Sequence, residues 1–163
     1  MLMNQEEKWE KLRILDFLKL SAIRIDLTGT TKRAVVEELV ELLAQDGKVK
    51  DAKATVDVLM EREKLGSTGI GQGIAIPHAK TDQTAEVVAA FGLSKRGVQF
   101  DALDGEPAYI FFLLVAPPDA ASLHLKALAR ISRLLKDKFF RQALRDVKDP
   151  NEVIKIIKEE DQY

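Results

Sequence analysis

Apolar residues recur at helical spacing early in the chain. Val35, Val36, Leu39, Val40, Leu42 and Leu43 fall on steps that line one face of a helix. Thr30 and Thr31 precede them as candidate caps and Gly47 follows as a stop, so the pattern predicts an amphipathic helix over 31–46. A second helix starts at the cap Asp51, runs through Val56, Leu59 and Met60 to about Lys64, and is followed by Gly66. Upstream, residues 11–27 mix apolar and charged positions; they predict a helical turn or two and then a short strand near Ile23–Leu27. Two continuous apolar runs, Val87–Leu93 and Ala108–Val115, read as strands buried on both faces. Between them Lys95–Glu106 is polar and turn-like, with Gly97 and Asp104-Gly105. Ser122 is placed as the cap of a third helix carrying Leu125, Leu128, Ile131 and Leu135 on one face. A short helix over 137–144 and a last one after Pro150, with Val153, Ile156 and Ile157, complete the pattern. Helices on either side of fully apolar strands predict an α/β sandwich, one sheet covered by helices.

Composition narrows the chemistry. The 163 residues include 25 Lys+Arg, 26 Asp+Glu, two histidines and no cysteine. A length of this order fits one domain with a real core. A net charge of -1 argues against a general nucleic-acid binder, whose affinity needs clustered excess cations. Without cysteine there are no disulfides, thiolate metal sites or thiol nucleophiles, and two histidines make a multi-histidine metal site hard to build. Met1–Glu10 carries Glu6, Glu7 and Glu10 where a signal peptide would be basic and then apolar. The longest apolar run, Ala108–Ala116, is closed by Pro117-Pro118 and is too short to cross a bilayer as a helix. The default expectation is cytoplasmic, with no direct membrane insertion.

Four of the nine glycines, Gly66, Gly69, Gly71 and Gly73, crowd the segment 66–82, a density no regular element tolerates, and a short extended piece, Ile74–Ile76, leads into Pro77-His78. Nucleotide motifs fail there. G-x-G-x-x-G from Gly69 meets Ile74 at its last position, and the phosphate-loop pattern from Gly66 has Gln72 where lysine is required. Ser67 sits in G-S-T-G, not in a nucleophile elbow. Asp82 lies four past His78, but the stretch begins at Pro77 and does not read as helical. Paired acids for glycoside hydrolysis stay open, although most acidic residues fall on outer helix faces.

His78 follows the glycine segment and Pro77, whose ring fixes the chain direction. It reads either as a loop histidine with a satisfied hydrogen bond or as an imidazole presented on a rigid turn to a partner. His124, near the start of the third helix, reads alone as a helix-end polar group. The chemistry open to an exposed neutral imidazole without metal or cysteine is nucleophilic phosphoryl transfer. Its loose transition state spreads charge over three oxygens and asks for positioning and positive potential. Arg62, at the end of the second helix, offers a planar fork for phosphate oxygens; its other reading is a solvated charge.

EREKLGSTGIGQGIAIPHAK, residues 61–80, resembles the active-site segment of the fructose/mannitol class of enzyme IIA in the bacterial phosphoenolpyruvate-dependent sugar phosphotransferase system, a class that includes the nitrogen-regulatory branch. FFLLVAPPDAASLHLKALARISRLLKD, residues 111–137, is similar to that family's strand, loop and helix with a second histidine. The resemblance covers roughly the whole chain and implies a single-domain sandwich over 1–163, a central mixed sheet flanked by helices on both faces. It implies that His78 is phosphorylated, that His124 supports it, and that Arg62 stabilises the phosphate. No cofactor, metal or nucleic acid is implied. The implied donor is a phosphohistidine carrier protein (HPr or its paralogue), and the implied acceptor is a cysteine of an enzyme IIB on another chain. Gln72 departs from the common Asn and Ala79 from a frequent Gly; the STGIG run leans toward the nitrogen-regulatory or fructose branch. Three functions stay open: phosphoryl transfer in sugar uptake, control of partner proteins by phosphorylation state, and plain anion binding. Two successive partners would need an apolar, shallow surface around His78.

Overall fold

The computed structural model describes residues 12–162, so Met1–Glu10 lies outside the described residues. The first helix, α1 (Lys32–Gln45), starts where Thr31 Oγ1 accepts the Ala34 N–H at 3.1 Å. All six of its expected apolar positions are buried. The second, α2 (Ala52–Lys64), is capped by Asp51, whose carboxylate accepts the Ala54 N–H at 3.0 Å. Among the described residues six strands form one sheet: β1 (Leu18–Arg24), β2 (Gly69–Gly71), β3 (Ile74–Ala75), β4 (His78–Lys80), β5 (Val88–Val98) and β6 (Ala108–Ala116). The remaining helices are α3 (Ala121–Leu134), α4 (Lys138–Arg145) and α5 (Pro150–Glu160).

The sheet order is β1-β5-β6-β3-β2, with β4 also on β6. β5 and β6 run antiparallel, as do β2 and β3, whereas β1–β5, β3–β6 and β4–β6 are parallel. The mixed sheet expected from the resemblance is therefore present. Gly92 of β5 faces α1 so closely that a Cβ there would lie 2.6 Å from Leu27 and 2.9 Å from Leu39. Its neighbour Phe91 points to the opposite face, where it meets Phe112 edge-on with ring centroids 5.0 Å apart. Phe111, paired with Gly92, meets Phe100 on the α1 side. α1 and α2 pack together on that face; α3, α4 and α5 cover the other.

Four local expectations need correction. The first strand begins at Leu18, after a single 3-10 turn at Ile14–Asp16, not near Ile23. Its parallel register shifts between Leu18 and Ile23, and Lys19, Leu20 and Ser21 are exposed, which hid the strand from a periodic reading. β5 continues through Lys95–Val98, expected as turn; a register shift and Gly97 at φ +83° let its end keep pairing while Lys95 and Arg96 face water. The glycine segment holds a hairpin: the extended piece expected at Ile74–Ile76 forms β3, and β2, expected as turn, pairs with it. Its two-residue turn, Gln72-Gly73, has φ of 58° and 81°, the positive pair that matches strand twist.

The fourth correction concerns α3. A 3-10 turn at Pro118–Ala120 feeds straight into the helix, so Ala120 stands at the cap with no side-chain bond and Ser122 lies within the first turn. The buried stripe is His124, Ala127, Ile131 and then Leu135, with Leu128 half-buried and Leu125 66% exposed. The face is turned by one position because a histidine, not a leucine, occupies its first place. α4 and α5 form as expected, capped by the carboxylates of Asp137 and Asp149. At the end of α5, buried Asp161 accepts the Ile14 N–H at 2.6 Å and pairs with Arg130 of α3.

Candidate functional site

β3 and β4 lie end to end along β6 in one unbroken register. Ile74 and Ala75 face Ile110 and Phe111; after Ile76-Pro77 the same offset resumes with His78 opposite Leu114. Pro77 has no N–H to give, but its carbonyl still accepts the Leu114 N–H at 2.9 Å. The strand is therefore held straight through the proline, and His78 takes the orientation that strand alternation dictates. That orientation is the face of Leu114 and Phe112, which α3 covers. There the ring of His78 meets that of His124, centroids 5.8 Å apart and planes tilted by 45°.

His78 is half-buried, and its Nδ1 lies 2.7 Å from the Ile76 carbonyl oxygen. A carbonyl only accepts, so Nδ1 carries the proton and the neutral ring keeps its lone pair on Nε2. Burial lowers the pKa of His78; the Ile76 carbonyl and Glu63 work against this, and the Arg62 charge adds to it. The ring is neutral, and thus nucleophilic, at neutral pH.

His124 is buried at 7% exposure. Burial, then the nearby His78 and Lys80, push its pKa down to about 4, opposed by a backbone hydrogen bond at Leu114. Its Nε2 is buried and has no hydrogen-bond partner among the described residues. The helix-end reading of His124 gives way to a ring inside the buried stripe of α3.

Arg62 lies in the last turn of α2, and one guanidinium N–H donates to the Gly66 carbonyl at 2.9 Å. Its charge bears on the His78 pKa; the structure sets His78 against His124, with Arg62 at the end of the helix that packs on β4. Leu65 (85% exposed), Ile70 (53%) and Leu125 (66%) supply bare apolar surface on the loop after Arg62, on the hairpin and beside His124.

Sequence reasoning missed Glu63 and its partners. Glu63 is buried, with its carboxylate on the Thr68 N–H and hydroxyl and 3.1 Å from Lys32 Nζ. Lys32 also reaches Asp101 at 3.1 Å. The available signal was a carboxylate in the last turn of a helix, where the macrodipole disfavours it. Asp104, also missed, accepts the Gln72 N–H at 2.8 Å and steadies the hairpin tip.

A mixed α/β sandwich that faces two neutral imidazoles across a strand–helix contact, with an arginine at the adjoining helix end, is suited to phosphoryl-group transfer. Residues 16–160 match the family described as "Phosphoenolpyruvate-dependent sugar phosphotransferase system, EIIA 2", and the chain belongs to that phosphoryl-transfer family. It is 38% identical over 150 residues to the PTS system fructose-specific EIIABC component of Bacillus subtilis, covering 92% of this chain but only 24% of that protein. It is 37% identical over 145 residues to the nitrogen regulatory protein of Bradyrhizobium diazoefficiens, covering 88% of this chain and 94% of that one. The crystal structure of nitrogen regulatory protein IIA-Ntr from Neisseria meningitidis superposes with a TM-score of 0.81 at 34% identity, over 87% of this chain and 97% of that one. Among the described residues no helix is long and apolar enough to cross a membrane.

Proposed function

We propose that this domain accepts a phosphoryl group on Nε2 of His78 from a phosphohistidine carrier protein in the cytoplasm. It then passes the group to a cysteine of an enzyme IIB outside these residues, in sugar uptake. The observation that carries the reading is the Nδ1–H bond to Ile76, which leaves the Nε2 lone pair as the one free to attack. In the first step that lone pair forms a bond to phosphorus as the carrier's N–P bond breaks, its electron pair returning to the carrier's ring. In the second, a thiolate attacks phosphorus and the His78 N–P bond breaks, its pair returning to Nε2. Arg62 balances the charge spread over the three phosphoryl oxygens, and His124 faces the same group from α3.

A second reading has its own support. The nitrogen regulatory relatives match over nearly their full lengths, as does the fructose-specific EIIA component of Haloferax volcanii, and among solved structures IIA-Ntr from Neisseria meningitidis is 34% identical where mannitol IIA from Escherichia coli is 22%. On that reading the phosphorylated and free forms of the domain bind partner proteins differently, and no sugar depends on it. The test begins with phosphoenolpyruvate and the two general phosphotransfer proteins. An acid-labile, base-stable label is expected on the wild type and none on His78→Ala; undiminished label on the variant refutes the site. Rapid drainage of that label onto an added enzyme IIB supports sugar uptake. Retention of the label, with partner binding that changes on phosphorylation, supports the regulatory reading.

A further inference from the structure

A carboxylate at position 63 is unfavourable on two counts. It lies in the last turn of α2, where the helix carbonyls concentrate negative potential, and it is 7% exposed. Its contacts show what its placement accomplishes. Lys32 Nζ of α1 donates to Glu63 Oε2 at 3.1 Å, and the Thr68 N–H donates to the same carboxylate at 3.2 and 3.3 Å, joined by the Thr68 hydroxyl. The Thr68 carbonyl accepts the Ile76 N–H at 3.0 Å. The Ile76 carbonyl accepts the His78 Nδ1–H at 2.7 Å. An uninterrupted train of hydrogen bonds thus runs from α1 through the end of α2 and across the hairpin to the imidazole.

We infer that Glu63 is a positioning residue for His78: its buried carboxylate, held by Lys32, fixes Thr68, and Thr68 fixes the Ile76 carbonyl that selects the Nδ1–H form of the ring. The inference rests on His78 as the phosphoryl acceptor. Glu63 touches neither donor nor acceptor; it decides which ring nitrogen is bare. The bond to the Ile76 carbonyl leaves the lone pair on Nε2, so loss of the selection removes the nucleophile. Electrostatics point the same way. Among the described residues the charges that bear on His78 are Arg62 and Glu63, both on α2, while His124 on α3 feels His78 and Lys80; of the two charges on His78, Glu63 is the one that favours its protonated ring.

The test uses Glu63→Gln and the pair Thr68→Val and Thr68→Ser in the full chain. Imidazole nitrogen NMR reports the tautomer and pKa of His78, and rapid-quench labelling by the phosphorylated carrier reports the rate. Glutamine offers one acceptor where the carboxylate serves both Lys32 and Thr68. A rise of the Nε2–H form, a lower His78 pKa and at least a tenfold slower transfer at unchanged KM for the carrier are expected. Thr68→Val, nearly isosteric, is expected to lose the tautomer selection and Thr68→Ser to keep it, so the proposal stays open to refutation if Glu63→Gln does not fold. An unchanged tautomer in Glu63→Gln and Thr68→Val overturns the inference. So does a slower rate with unchanged tautomer and pKa, which a merely loosened loop would give. If instead wild-type His78 takes no label while the tautomer responds as expected, the phosphoryl-acceptor reading fails and the positioning role stands.

Discussion

Phosphorylation of His78 is expected to draw a proton onto His124. In the free domain His124 is neutral at pH 7, with its pKa at about 4 and its Nε2 bare and buried. A phosphoryl group on His78 Nε2 adds negative charge to a ring whose centroid lies 5.8 Å from that of His124. At that distance and an effective dielectric of about 20, each unit charge stabilises an imidazolium by about 3 kcal/mol. That is about two pKa units per charge, and a phosphoryl group carries about 1.5 to 2 charges at neutral pH. The His124 pKa is therefore expected to rise from about 4 to about 7 or above. Its new Nε2–H then donates to a phosphoryl oxygen, and departure of the group releases the proton. Carbon-bound ring protons of His124, followed by NMR across pH 3–9 in the free and phosphorylated domain, read both values directly. Phosphorylation in a weakly buffered solution with an indicator dye should show uptake of up to one proton per phosphoryl group. An unmoved His124 titration, or no uptake, would refute the electrostatic argument.

Three further outcomes are expected. Because burial holds the folded-state pKa of His124 below its ordinary 6.5, the unfolded chain binds the extra proton first as pH falls. The contribution is fully present above about pH 6.5 and is lost toward pH 4, about 3 kcal/mol in all; the acid limb of a urea-denaturation profile should flatten in His124→Gln. Gly92→Ala puts a Cβ 2.6 Å from Leu27 and should destabilise the fold by about 1–3 kcal/mol in urea titration, whereas an unchanged midpoint would mean that α1 can move away. Gln72→Asn, at φ 58°, should raise stability by up to about 1 kcal/mol, since Asn tolerates the left-handed region better; a lower midpoint would show that the glutamine side chain holds the turn by some other contact.

What the sequence disclosed and what it hid divide along physical lines. α1 was legible because its six apolar positions face one way and Thr31 caps it with no competing demand. β6 was legible because burial on both faces leaves an unbroken apolar run. β1 was hidden because its middle faces water, and the end of β5 because exposed Lys95 and Arg96 read as turn. His78 was singled out by its proline and glycine context, and Arg62 by its place before the loop. Glu63 and Lys32 were invisible to spacing, because their meaning comes from two helices packing side by side. His124 disguised the face of α3, since a polar residue in a buried stripe is what a periodic reading discards.

The brevity of β4 has a consequence for solubility. Its second edge has no strand partner among the described residues, and on the proposed function it lies beside the histidine that partners have to reach. An open edge of this kind invites another chain to add as a strand. Here it is three residues long, entered through a proline with no N–H and closed by the exposed Lys80. An edge this short, ended by a charge, offers little template for another chain to add as a strand.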